Sequence, residues 1–175
     1  MARQLKTIRW FIIITTFILP SGNPPAPPGF AFFNLNIHHM ETSIATRSNL
    51  QIIQQAFNDF AKGNIPAIID TLAEDVRWGS FKIPGAAMSG NFFGKEGVQE
   101  FFKHLDEQIR FSVFEPREFI VQGDSIIVLG HQAGIVKSTG KSFDHDWCFS
   151  FKMKDSKVQS YFAFTDSYEQ AKAFS

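Results

Sequence analysis

Two side chains in the C-terminal half have the chemistry to move a proton. Asp166 ends the alternating stretch "YFAFTD" of residues 161–166, and His131 lies in "VLGHQAG". A carboxylate bordered by Phe162 and Phe164 would be poorly solvated, and desolvation raises its pKa toward the range useful for acid–base work. Asp166 also opens "DSYE", an Asp-x-x-Glu pattern in which the Asp caps a helix and the Glu reaches back to it, so capping alone is enough to explain it. His131, spaced with Ile127, Leu129 and Ala133 on one strand face, is either a general base or a hydrogen-bonded core histidine. Asp144, His145 and Asp146 suggest a metal cluster by composition. Strand alternation sends the histidine to the opposite face from both acids, however, so no metal is assigned. Cys148 is the single cysteine; it allows neither an intrachain disulfide nor a cysteine-based zinc site and reads as a small buried apolar residue.

The elements that must position these groups follow from hydrophobic period. Leu50, Ile53, Phe57 and Phe60 recur at helical spacing behind a Ser48/Gln51 capping box, and Gly63 stops that helix. Asn64 is placed to cap a short second helix with Pro66 in its first turn. "EDVRWGS" reads as a short strand. "IPGAAMSGNFFG" is a loop leading into a third helix, whose stripe is Val98, Phe101, Phe102 and Leu105. After Arg110 the period changes to alternation. "RFSVFEPREFIVQ", "SIIVLGHQAGIVK", "SFDHDWCFSFKMK" and "KVQSYFAFTD" are strands joined by turns at Gly123-Asp124, Thr139-Gly140-Lys141 and Asp155-Ser156. Pro116 cannot donate to a ladder and marks a bulge or an edge. A last helix runs from about Ser167 to Ala173. Helices gathered before a run of hairpins predict an α+β domain in which the helices pack on one face of a strongly curved, mostly antiparallel sheet.

Parity then sorts the strand side chains. His145, Trp147, Phe149, Phe151 and Met153 form the inward set of their strand, with Asp144, Asp146, Cys148, Ser150, Lys152 and Lys154 opposite. On the last strand Phe162, Phe164 and Asp166 share a face, opposite Tyr161 and Ala163.

Composition bounds the partners. Lys+Arg and Asp+Glu both number 17, so no basic face announces nucleic acid, and 21 Phe among 175 residues predict an aromatic-walled core or cavity. Residues 1–40 differ from the rest: they hold Arg3, Lys6 and Arg9 and no acid, whereas 41–175 hold 14 basic and 17 acidic side chains. "MARQLKTIR" and "WFIIITTFIL" have the form of a secretory signal, too short to span a bilayer, followed by five prolines between Pro20 and Pro28. The leader is either such a signal, which implies a secreted or periplasmic protein, or a non-native extension ahead of a start at Met40, which implies a cytoplasmic one. The folded domain is expected over 41–175.

The order helix, helix, strand, helix and four hairpin-linked strands resembles the SnoaL-like branch of the nuclear transport factor two-like superfamily, which includes ketosteroid isomerases and polyketide cyclases. "AFNDFAKGNIPAIIDTLAEDVRW", "GKEGVQEFFKHL", "STGKSFDHDW" and "KDSKVQSYFAFTD" each resemble a family segment, in family order, over about residues 48–172. The resemblance implies a cone with the N-terminal helices on the concave face of its sheet, a pocket for a small hydrophobic molecule, no cofactor, and a homodimer through the outer sheet face, where Tyr161 and Ala163 would lie. It places Trp78 at the pocket mouth and Asp166 near the pocket. The chain departs from the family pattern at Phe149, where a His is common, and at Phe162 and Ala163, where an Arg-Glu pair is common. Two readings follow. One is an isomerase, cyclase or dehydratase on a hydrophobic carbonyl compound, with Asp166 or His131 moving the proton and Trp78, Trp147, Phe149, Phe162 and Phe164 holding the substrate. The other is a binding or dimerising module that kept the cavity and lost the chemistry.

Overall fold

A computed structural model describes residue 46 and residues 48–175. The expectations for the leader, the proline run and the Met40 start therefore lie outside the described residues. Helix α1 covers 48–61. It is followed by α2 (Ile65–Asp70), β1 (Leu72–Ser80), β2 (Asn91–Phe93), α3 (Gly94–Gln108), β3 (Ile109–Gln122), β4 (Ser125–Val136), β5 (Ser142–Lys154), β6 (Lys157–Thr165) and α4 (Ser167–Phe174). Among the described residues no helix is long and apolar enough to cross a membrane.

The strands form one curved sheet in the order β2-β1-β6-β5-β4-β3, antiparallel except where β1 runs parallel to β6. The predicted α+β architecture is thus observed, with one strand more than the period shows. β2 is only three residues long, too short for alternation to register. Pro116 sits in β3 at the sheet edge, where the register shifts between Pro116 and Glu118, as a residue without an N–H requires. Of the two helix starts expected, Ser48 is already helical. Asn64 makes no side-chain cap and instead donates to Asp59 Oδ1 at 3.3 Å, helping to satisfy a carboxylate that is only 9% exposed.

The core lies between the helices and the concave face. Ile53 of α1, Val98 of α3 and Ile126, Val128 and Val158 of the sheet are almost completely removed from water. Each such side chain contributes about 1.5–3 kcal/mol relative to exposure. Close packing within the sheet needs glycine at one position: a Cβ on Gly130 would lie 2.1 Å from Trp147 Cζ2 and 2.5 Å from the Glu115 carbonyl oxygen. Gly130 pairs directly with Trp147 across β4 and β5, so the bare backbone lets the indole lie flat on the neighbouring strand.

Candidate functional site

The concave face does not close on itself. A cavity of ≈ 130 Å³ remains between α1, α3 and the sheet, roofed by the 81–90 segment. Its wall is mostly apolar and rich in aromatic rings: Phe57, Phe60, Trp78, Phe102, Phe149 and Tyr161 all contribute. Trp78 stacks on Tyr161 with ring centroids 3.9 Å apart, and Phe149 meets Tyr161 edge to face at 5.2 Å. Such contacts fix ring positions as well as burying area.

Register decides which face each strand gives the cavity. Residues directly opposite in a pair share a face. Phe149 pairs with Ala163 and Phe151 with Tyr161, so the inward parity of β5, as predicted, forces Tyr161 and Ala163 inward too. The expectation for β6 is therefore reversed. Phe162 and Phe164 lie on the outer face, packed on Phe81 at 5.3 and 6.0 Å, and Phe164 is 45% exposed. Tyr161 and Ala163, expected outside, line the cavity.

The same rule relocates His131. It pairs with Asp146, an outward residue of β5, so its imidazole lies on the outer face. There Nδ1 is 2.8 Å from Asp146 Oδ1 and Nε2 is 3.2 Å from Asp144 Oδ1, and Arg117 reaches Asp146 at 3.4 Å. Asp166 is exposed, and its Oδ1 accepts from the Glu169 N–H at 2.9 Å as the N-cap of α4. Glu169 turns to Lys172 at 2.9 Å. Neither of the two expected proton carriers lines the cavity. Of the five expected ligand contacts, Trp78 and Phe149 line it. Trp147 is packed behind the wall, stacked on Phe149 at 3.9 Å.

Five polar residues on the wall were not singled out by sequence: Ser80, Ser89, Gln132, Thr165 and Gln170. Ser80 and Ser89 serve the roof, since Ser89 Oγ accepts from the Ile83 N–H at 2.8 Å and Ser80 Oγ from that of Gly90 at 3.2 Å. Thr165 Oγ1 lies 3.3 Å from Gln170 Oε1. Gln132, 4% exposed, lies 3.2 Å through its Nε2 from Nε2 of His145, whose Nδ1 lies 2.9 Å from the Asp146 carbonyl oxygen. The legible signal for Gln132 was the hairpin at 139–141, whose register sets it opposite inward-facing His145. Among the described residues, Tyr161 is the only titratable side chain on the wall, and burial pushes its phenol well above the ordinary tyrosine range.

Comparison with known proteins agrees with this architecture. No curated protein matches the chain. Among solved structures, an NTF2-like protein from Burkholderia xenovorans LB400 is similar at 30% identity, with a TM-score of 0.68 over 74% of this chain and 98% of that one. An NTF2-like protein of unknown function from Burkholderia pseudomallei K96243 shares the fold at 23% identity and a TM-score of 0.64, over 73% of this chain and 98% of that one. TerC, crystallised with polyporic acid, shares it at 24% identity and a TM-score of 0.63, over 73% and 98% of the two chains. The family model for the SnoaL-like domain matches residues 53–161, which hold most of the sheet, α2, α3 and most of the cavity wall, and the chain belongs to that family.

Proposed function

We propose that the protein binds a small, uncharged hydrophobic molecule in the cavity and that binding, not proton transfer, is its activity. One observation carries this: among the described residues, the cavity wall holds no carboxylate, imidazole, amine or guanidinium. General acid–base catalysis needs a titratable group within hydrogen-bond reach of the reacting atom. Tyr161, held neutral by burial, is a hydrogen-bond donor and a poor base. The volume of ≈ 130 Å³ suits a single ring, since an apolar cavity of about 150 Å³ takes benzene. Calorimetry and thermal shift with one-ring apolar ligands test the reading. Binding that is lost when Ala163→Phe fills the cavity supports it; no binding, or binding indifferent to Ala163→Phe, overturns it.

A second reading, an isomerase, cyclase or dehydratase acting on a hydrophobic carbonyl compound, is favoured by Tyr161 alone. Its phenol could donate to a carbonyl oxygen as negative charge develops there. Turnover of such a compound that Tyr161→Phe abolishes would support this reading over pure binding.

A homodimer through the outer sheet face belongs to the same proposal. The outward side of β5 reads Asp144, Asp146, Cys148, Ser150, Lys152, Lys154: acidic at one end, neutral in the middle and basic at the other. A two-fold axis at Phe149 would set Asp146 against Lys152 and Asp144 against Lys154 of a second copy, the self-complementarity an isologous contact needs. The Phe162 and Phe164 rings flank that strip, 4.9 Å apart. In light scattering, Asp144→Lys with Asp146→Lys should give monomers, and adding Lys152→Asp with Lys154→Asp should restore the dimer. A parent chain that scatters as a monomer sinks this assembly.

A further inference from the structure

The cavity contains one amide whose orientation is forced from behind. The Asp146 carbonyl oxygen can only accept, so His145 Nδ1, 2.9 Å away, carries the ring proton. In the neutral ring Nε2 is then an acceptor. Gln132, 3.2 Å from it, must present its NH₂ to the imidazole, which turns its amide oxygen the other way. Gln132 is 4% exposed and His145 8%, so bulk water has little access to either. Gln170 carries no comparable message, because the Thr165 hydroxyl against it can donate or accept.

We infer that Gln132 Oε1 is the polar recognition point of the cavity and that the ligand is an apolar ring bearing a hydroxyl, the donor this acceptor requires. His145 is a positioning residue: it holds the amide in the orientation that reads a donor and does not itself meet the ligand. The inference rests on the proposed binding function and sharpens its ligand class from apolar to apolar with a hydroxyl. An acceptor facing an apolar cavity is matched only by a ligand that brings a donor, so a site built this way favours such ligands over analogues lacking it. A carbonyl compound, which brings only an acceptor, gains nothing at Gln132.

The test uses three one-ring probes of near-equal shape, p-cresol, p-xylene and p-tolualdehyde, titrated calorimetrically into the full chain. The net value of one hydrogen bond predicts that p-cresol binds roughly three- to tenfold tighter than p-xylene. Gln132→Leu should bring p-cresol and p-xylene to equal affinity while p-xylene binding itself persists. His145→Leu frees the amide to turn and should let p-tolualdehyde gain on p-cresol. Equal binding of p-cresol and p-xylene by the parent, or a p-cresol preference that survives Gln132→Leu, overturns the hydroxyl inference and leaves the apolar-binding reading standing. Failure of all three probes to bind the parent overturns both.

Discussion

His131 and Asp146 face each other across β4 and β5, Nδ1 to Oδ1 at 2.8 Å, on the side of the sheet away from the cavity. Asp144 and Asp146 are both largely exposed, with side-chain accessibilities of 74% and 78%, so water screens the cluster. Exposed pairs of this kind are worth about 0–1 kcal/mol. His131→Gln should therefore leave one-ring ligand affinity within about twofold of the parent and lower stability by no more than that. A larger loss of affinity in calorimetry would mean that the outer face and the cavity communicate.

Asp166 is assigned by two substitutions. As the N-cap accepting from Glu169, it should tolerate Asn almost fully, whereas Asp166→Ala should cost about 1 kcal/mol in denaturant unfolding. Equal stability of the Ala variant and the parent would contradict the cap.

Gly130 tests the packing that shapes the cavity. A methyl there meets Trp147 Cζ2 and the Glu115 carbonyl, and the second of these is backbone that cannot swing aside. Gly130→Ala should destabilise by about 1–3 kcal/mol and alter tryptophan fluorescence as the indole is displaced. An unchanged unfolding midpoint would show that β3 and β4 can part at no cost.

Tyr161 makes stability depend on alkaline pH. Its folded pKa is raised by burial above the unfolded value of about 10. The folded state therefore holds the proton more tightly, and the contribution is full below about pH 10 and lost as pH rises above it. Unfolding midpoints measured from pH 8 to 11 should fall more steeply for the parent than for Tyr161→Phe. Parallel curves would mean that Tyr161 ionises as freely in the fold as in the unfolded chain.

Period and turn residues alone determined the order of the main elements, the antiparallel hairpins and the inward face of β5, because these depend on contacts between near neighbours in the chain; they left Pro116 at a bulge or an edge. The α+β class and the family resemblance followed from that order. Which way β6 faces did not, since "YFAFTD" alternates aromatic rings with Ala, Thr and Asp and offers bulk to both sides. Only pairing with β5, where Phe149 meets Ala163, turned Tyr161 and Ala163 inward and Phe162 and Phe164 outward. His131 was equally undecided until its partner proved to be Asp146 and not an apolar side chain. The cavity has no local signature at all. It exists where a small residue, Ala163, and the rings of six separate helices and strands fail to fill the concave face, and one of its polar groups, Gln132, takes its direction from a histidine thirteen residues away. Tertiary packing decided these features because a void and a hydrogen-bond relay are properties of several segments together, and no single segment's period encodes them.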